Sequence, residues 1–286
     1  MMESNNKEYP NLGWLYYRDY YNGLRKGHLQ EETTHPDNTK ENFFDKKNQK
    51  LIESGYRNSE VRKDFPEDTE VWPGYIYKSF LLETVYPGLA TGTGVIHETG
   101  MKGELKLGFQ FDYTTGLPYL PGSSVKGLLR SMFPGSSSEK DPEKLRLYQA
   151  ERKDYLQAIL SDVLSTYTNS EIDTKLARLE ESIFCHGDIF LDAFIERTGK
   201  DGLLGFDYIT PHKNAFKNPV PVQFIKVMPG VMFRFGFIMR TEPELKLSVD
   251  HKLDLFQTIL NDIGIGAKTN VGYGQLKKIC ENQEFD

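Results

Sequence analysis

The stretch Gly116-Leu-Pro-Tyr-Leu-Pro121-Gly122-Ser123-Ser124-Val-Lys126-Gly127-Leu-Leu-Arg130-Ser-Met-Phe133 decides how the chain is read. Pro118 and Pro121 hold an extended entry, and Gly122 permits a sharp bend. Ser123 or Ser124 is suited to cap a helix, after which Val125, Leu128, Leu129, Met132 and Phe133 recur on one helical face. Lys126 lies in the first turn, where a cation faces the positive end of the helix dipole at a cost of a few tenths of a kcal/mol, roughly. Free backbone N–H groups, two hydroxyls and a lysine at one helix start make sense if an anion binds there. The alternative is a plain strand–turn–helix with a surface lysine. Arg130, one turn on, either reaches the next phosphate or pairs with an acidic neighbour.

Upstream, Glu104–Tyr113 alternates strictly, with Leu105, Leu107, Phe109, Phe111 and Tyr113 on one side, and predicts a half-buried strand. Tyr75–Val85 reads as another, followed by the glycine-rich loop Pro87–Gly94. Residues 11–27 place Trp14, Tyr17, Tyr21 and Leu24 at helical spacing, and a charged helix is expected near Lys46–Ser54. Downstream, residues 139–181 read as helix, turn, helix, an insertion into a sheet domain. Ile183–Ile195 returns to strand with a break at Cys185–Asp188, and Leu203–Ile209 forms a short strand. Val220–Val227 and Val231–Met239 flank Met228-Pro229-Gly230 as a hairpin or two adjacent strands. A helix over about Asp250–Asp262 leads to Gly264-Ile-Gly266-Ala-Lys268-Thr269-Asn270-Val-Gly272-Tyr273-Gly274 and a terminal strand through Cys280. Glycines around one lysine let backbone approach a ligand closely, although such a turn is often only a turn. No Walker or dinucleotide fingerprint occurs in its proper context.

The composition narrows the class. A length of 286 residues with 38% hydrophobic and 13% aromatic side chains suits a globular protein. Two cysteines without metal-ligand spacing fit a reducing compartment. No apolar run is long enough to span a bilayer, and the polar start is not a signal peptide, so a cytoplasmic location is expected. The net charge of −6 argues against a free-standing, avid nucleic-acid binder. Its distribution softens that objection: residues 71–138 carry 5 basic and 4 acidic side chains and 182–240 carry 7 and 5, against 11 and 14 in residues 1–70. The sheet-like blocks are the mildly basic ones.

Taken together, Gly116–Arg130, Ile183–Ala193 and Gly264–Gly274 resemble the conserved segments of the RAMP superfamily of CRISPR-associated proteins. Phe206-Asp207-Tyr208-Ile209-Thr210-Pro211-His212, followed by Pro219–Phe224, looks most like the family of sixth subunits of the type III-B Cmr effector complex. The resemblance covers roughly residues 75–280. It implies an α+β fold, an RRM-like (ferredoxin-like) antiparallel sheet core with a helical insertion. The organisation it implies is an N-terminal helical and polar region, 1–74, and an RRM-like domain, 75–286, carrying the insertion at about 139–181. It further implies a non-catalytic RNA-binding subunit holding the 3′ region of the CRISPR RNA, with target RNA and the other Cmr subunits as partners in antiviral defence. Neither a metal, a cofactor nor a membrane is implied.

Single-stranded RNA offers phosphates, 2′-hydroxyls and base faces. On this reading Ser123, Ser124, Lys126 and Arg130 meet phosphate. Gly266, Lys268 and Thr269 pack against sugar–phosphate, and Tyr273 offers a stacking surface. Both elements sit at helix–strand junctions and are expected to face one groove. His212 and Lys213 lie in a loop beside them; His212 is either a phosphate donor or base, or a loop histidine bonded to backbone. Asp207 orients this loop rather than binding metal. The competing function is a metal-independent endoribonuclease of the same superfamily, with His212 or His97 as base. A nucleotide-binding enzyme lacks its phosphate loop.

Overall fold

Phe233, Phe235 and Phe237 alternate along one strand, point to the same side and are fully buried, and they mark the centre of the molecule. The computed structural model describes residues 11–24, 43–55, 68–92, 99, 101, 103–105, 108–165, 167–209 and 221–279. Its strands are β1 (Glu70–Trp72), β2 (Tyr75–Thr84), β3 (Tyr119–Leu120), β4 (Ile189–Phe190), β5 (Ala193–Arg197), β6 (Leu204–Ile209), β7 (Val222–Val227), β8 (Met232–Met239) and β9 (Leu276–Lys278). Its helices are α1 (Leu12–Trp14, running on as a π-helix over Leu15–Asp19), α2 (Phe43–Gly55), α3 (Gly122–Ser131), α4 (Pro142–Ile159), α5 (Ser161–Leu164), α6 (Asn169–Glu181) and α7 (Val249–Ile263).

The ladder β2–β8 is antiparallel and long, from Ile76 opposite Met239 to Glu83 opposite Met232. β5 pairs with the other side of β8, and β9 joins the outer edge of β2 at Thr84. The order β9–β2–β8–β5, with α3 between β2 and β5 and α7 between β8 and β9, is the β-α-β-β-α-β arrangement of ferredoxin-like folds. β1 shares the outer edge of β2 at its start, and β3 extends the sheet beyond β5. On one face, Phe80 stacks on Phe235 with centroids 5.6 Å apart, and Phe256 of α7 packs on Phe237 at 5.1 Å. The opposite face carries Arg234, whose guanidinium donates to both oxygens of Glu196 and to Ser79.

One buried charge ties α7 to the sheet. Lys252 is fully buried; its ammonium donates to both oxygens of Asp188 at 3.0 and 2.9 Å and to Glu242 at 3.0 Å. Burial pushes the Asp188 carboxyl up, against the pull of Lys252.

Several elements differ from the sequence reading. The first helix buries Leu12, Leu15, Tyr16 and Tyr20, while Trp14 and Tyr17 are exposed. The wider π turn brings Leu12, Tyr16 and Tyr20 into line and moves Trp14 and Tyr17 outward, while Tyr21 and Leu24 of the expected face stay half-buried against the core. These residues, with Phe44 and Leu51 of α2, belong to the same hydrophobic cluster as the sheet. Among its described residues, Glu104–Tyr113 is not a strand beyond a single bridge from Phe111 to Pro118. Leu105, Phe109 and Phe111 are buried as the alternation predicts, but Tyr113 is 95% exposed. The edge of β5 is taken by β3 instead, and Asp112 turns the chain by accepting from the Thr115 N–H and both threonine hydroxyls. The insertion forms α4, α5 and α6 as expected, but α6 continues as a π-helix through Ser182–Gly187, where a strand was expected. Ile183 and Phe184 are buried by that continuation. β7 and β8 are not a hairpin: β7 pairs with β6 in a separate two-stranded sheet. The Met228–Gly230 turn carries the chain between sheets, with the Gly230 N–H on the Thr84 carbonyl.

Candidate nucleic-acid interface

The helix start is built differently from a serine cap. Pro121 is the capping residue, and its carbonyl accepts from the Ser124 and Val125 N–H groups at 2.8 and 3.1 Å. The Gly122 N–H donates to Asp192 Oδ1 at 2.7 Å, so a carboxylate of the chain itself already holds one of the free donors. Gly122 lies so close to the next segment that a Cβ there would sit 2.1 Å from the Phe190 carbonyl oxygen. Ser123 and Ser124 therefore occupy the first turn, exposed, and do not cap. Lys126 reaches over the Phe190 ring, 5.9 Å from its centroid, and forms no ion pair among the described residues. Arg130 takes the second of its two readings: Nε lies 3.3 Å from Glu180 Oε1, and Glu180 also accepts from the Gly135 N–H.

The glycine-rich segment is packed against residues 87–92. A Cβ on Gly274 would lie 1.9 Å from the Ile265 carbonyl oxygen, and one on Gly266 2.5 Å from that of Ala90. The Ile265 N–H donates to Gly274, Ala267 to Ala90 and Gly274 to Gly88. These glycines thus serve backbone-to-backbone approach within the chain. Lys268 stands in the left-handed region at φ 64°, with its ammonium 5.7 Å from the Phe224 ring centre, and Thr269 follows it half-buried. Lys268 forms no ion pair among the described residues.

Tyr273 is not a stacking surface. It is 6% exposed, packs edge-on to Phe224, and donates its hydroxyl to Asp207 Oδ2 at 2.6 Å. A buried phenol needs a partner for its O–H, and β6 supplies one. The same carboxylate oxygen accepts from Lys226 at 2.8 Å. Burial pulls the Asp207 carboxyl up, but the bonds from Lys226 and Tyr273 outweigh it and hold the group below its usual range. Burial, the bond to Asp207, and the charges of Asp207 and Tyr86 all push the Tyr273 hydroxyl up. Asp207 therefore fastens β6 to the glycine-rich loop; the His212 loop that it was expected to orient lies outside the described residues.

The two corners do not meet. The helix start rests on Phe190–Asp192, where Leu191 bonds Gly236; the glycine-rich loop lies beyond β2, where Thr84 bonds Val231. Two strands and the run from Val231 to Gly236 separate them, on the order of 20 Å. His212, Lys213 and His97 fall outside the described residues. Of the histidines that are described, His186 lies 3.5 Å from Glu181, and His251 accepts the Ser248 N–H at the start of α7. Among the described residues no group of His, Cys, Asp and Glu could hold a metal ion, and no helix is long and apolar enough to cross a membrane. Asp192, Glu180 and Lys226 were not singled out for these roles. Asp192 sits inside the quoted Ile183–Ala193 segment, but only the fold shows that it faces Gly122.

Comparison with known proteins extends the geometry. A family model described as the RAMP superfamily matches residues 81–277. The CRISPR system Cmr subunit Cmr6 of Pyrococcus furiosus is 25% identical over an alignment of 201 residues that covers 56% of this chain. The chain spans 58% of the length of that curated relative. A chain of the type III-B Cmr-beta complex, solved by cryo-EM bound to cognate target RNA, superposes with a TM-score of 0.51 at 21% identity. That match covers 95% of this chain and 87% of the other. The crystal structure of Cmr6 from Pyrococcus furiosus gives a TM-score of 0.44, also at 21% identity, over 72% of this chain and 99% of that one.

Proposed function

This chain belongs to the RAMP superfamily, and on that premise we propose that it is a non-catalytic, RNA-binding backbone subunit of a type III-B CRISPR interference complex. It holds the 3′ region of the CRISPR RNA, lies against neighbouring backbone subunits and meets target RNA as part of the assembly. The observation that carries this reading is the state of its cations. Arg130, Lys226 and Lys252 are each neutralised by a carboxylate. Lys126 and Lys268 form no such pair among the described residues, and both stand at tight backbone corners of the sheet. A long single strand touches such separated cations in succession, with phosphate contacts fixing its path. The sequence similarity to the Cmr6 subunit of Pyrococcus furiosus supports the choice of complex.

Co-expression with the other Cmr subunits, followed by quantification of bound CRISPR RNA, tests the proposal. Lys126→Ala and Lys268→Glu should each weaken retention about tenfold, the scale of one charge-assisted contact, and the double variant further. Full RNA retention by the double variant would overturn it. Discrete cleavage of repeat RNA by the full chain in EDTA, abolished by His212→Ala, would replace it with the endoribonuclease.

A further inference from the structure

Burial of Tyr273 leaves another aromatic at the surface of the same corner. Tyr86 is 84% exposed and directly precedes Pro87, whose ring lies 3.7 Å from where a Gly272 Cβ would stand. The turn beneath it is fixed: the Gly88 N–H bonds Val85, and the Leu89 N–H bonds Val227. Val271, on the glycine-rich loop next to Gly272, is 67% exposed. Lys268 approaches the same Tyr273–Phe224 pair through the Phe224 ring. The fixed turn thus presents an exposed phenol ring, and the glycine-rich loop that touches it at Pro87 presents an apolar side chain and a cation without an ion pair among the described residues.

From this arrangement we infer that Tyr86 is a base-stacking platform for single-stranded RNA, with Lys268 on the adjoining phosphate and Val271 as an apolar wall. The inference rests on the RNA-binding reading above and adds a base contact to it. Charge favours RNA over a protein partner as the occupant. Lys268, on the adjoining glycine-rich loop, supplies positive charge with no acidic group paired to it among the described residues, which suits a polyanion with exposed base faces. Stacking on an aromatic ring accepts any base, so this corner adds affinity without sequence preference. Ring exposure also makes the test clean, because removing an exposed side chain leaves the buried cluster intact.

The probe is a fluorescein-labelled adenosine homopolymer of about 12 nucleotides, within the usual span of such sites. It is titrated against the full chain, alone and assembled with the Cmr subunits, over a series of salt concentrations. Tyr86→Ala should lower affinity about 5- to 150-fold, the range for loss of one stacked base, with the slope of log K against log salt unchanged. Tyr86→Phe and Tyr86→Trp should bind like the wild type. Lys268→Ala should instead flatten the salt slope by about 0.7. Wild-type affinity in Tyr86→Ala, while Lys126→Ala/Lys268→Glu binds weakly, would overturn the platform and leave the subunit reading standing. Absence of RNA binding by the wild-type chain in both settings would overturn both. Loss of Cmr subunits from the Tyr86→Ala assembly at unchanged RNA affinity would make this a protein-docking surface and overturn the inference.

Discussion

At the scale of single residues, the close approaches made by glycines are the strictest demands in the chain. Gly274 combines φ 75° with a carbonyl oxygen 1.9 Å from the position of a Cβ. Gly274→Ala should therefore cost more than about 2 kcal/mol, since left-handed strain and a backbone clash add. Thermal unfolding of the full chain should show a fall of at least about 4 °C. From sequence, the glycines announced a close backbone approach but not the identity of the approaching group, which is Ile265 of the same loop for Gly274 and Ala90 for Gly266. Tyr273 was misread for a related reason. An aromatic next to two glycines looks exposed until its hydroxyl partner, Asp207, is found 66 positions away.

Among elements, the two-stranded sheet β6–β7 is joined to the glycine-rich loop through the Asp207 carboxylate. A carboxyl held below its unfolded value of about 3.9 adds stability above that pH and loses it as pH falls through the folded value. The stability difference between wild type and Asp207→Asn should thus shrink on going from pH 6 to pH 3. Urea midpoints of both proteins at the two pH values check this, and a difference that grows in acid would refute it. Elements whose apolar residues follow a regular period were legible: β2, β8, α4, α6 and α7 lie where the pattern puts them, and α2 lies where a charged helix was expected. Two failures, in the sheet, share one cause, the choice of partner; the two at π-helices, Leu15–Asp19 and Ser182–Gly187, come from a change of helical period. Glu104–Tyr113 has a strand's alternation, but among its described residues it pairs only through the bridge from Phe111 to Pro118. Val220–Val227 and Val231–Met239 look like a hairpin or two adjacent strands, yet β7 and β8 find different neighbours.

For the molecule as a whole, the ferredoxin-like order was accessible through the resemblance of separated segments, whereas the distance between its two basic corners was not. Spacing along the chain carries no information about which edge of a sheet a loop reaches. The buried ammonium that fastens α7 to Asp188 and Glu242 was likewise invisible, because Lys252 reads as an ordinary helix-surface lysine. Lys252→Ala should destabilise the protein by about 3–5 kcal/mol, because two carboxylates lose their counter-charge in the interior. Lys252→Met should be nearly as harmful although it restores the volume, and chemical denaturation distinguishes the two contributions. Recovery of wild-type stability by the methionine would show that packing alone is at stake.

The central β2–β8 ladder has a further consequence for how the protein is made. Phe80 waits for Phe235, and Ser79 for the Arg234 guanidinium 155 positions later. At ordinary translation speeds that interval lasts between about 8 and 30 s. Throughout it the nascent β2, with its apolar side uncovered, has emerged from the ribosome before its mate exists. Closure of the core is consequently an event of late or completed synthesis, and such a chain gains from a chaperone that shields the waiting strand.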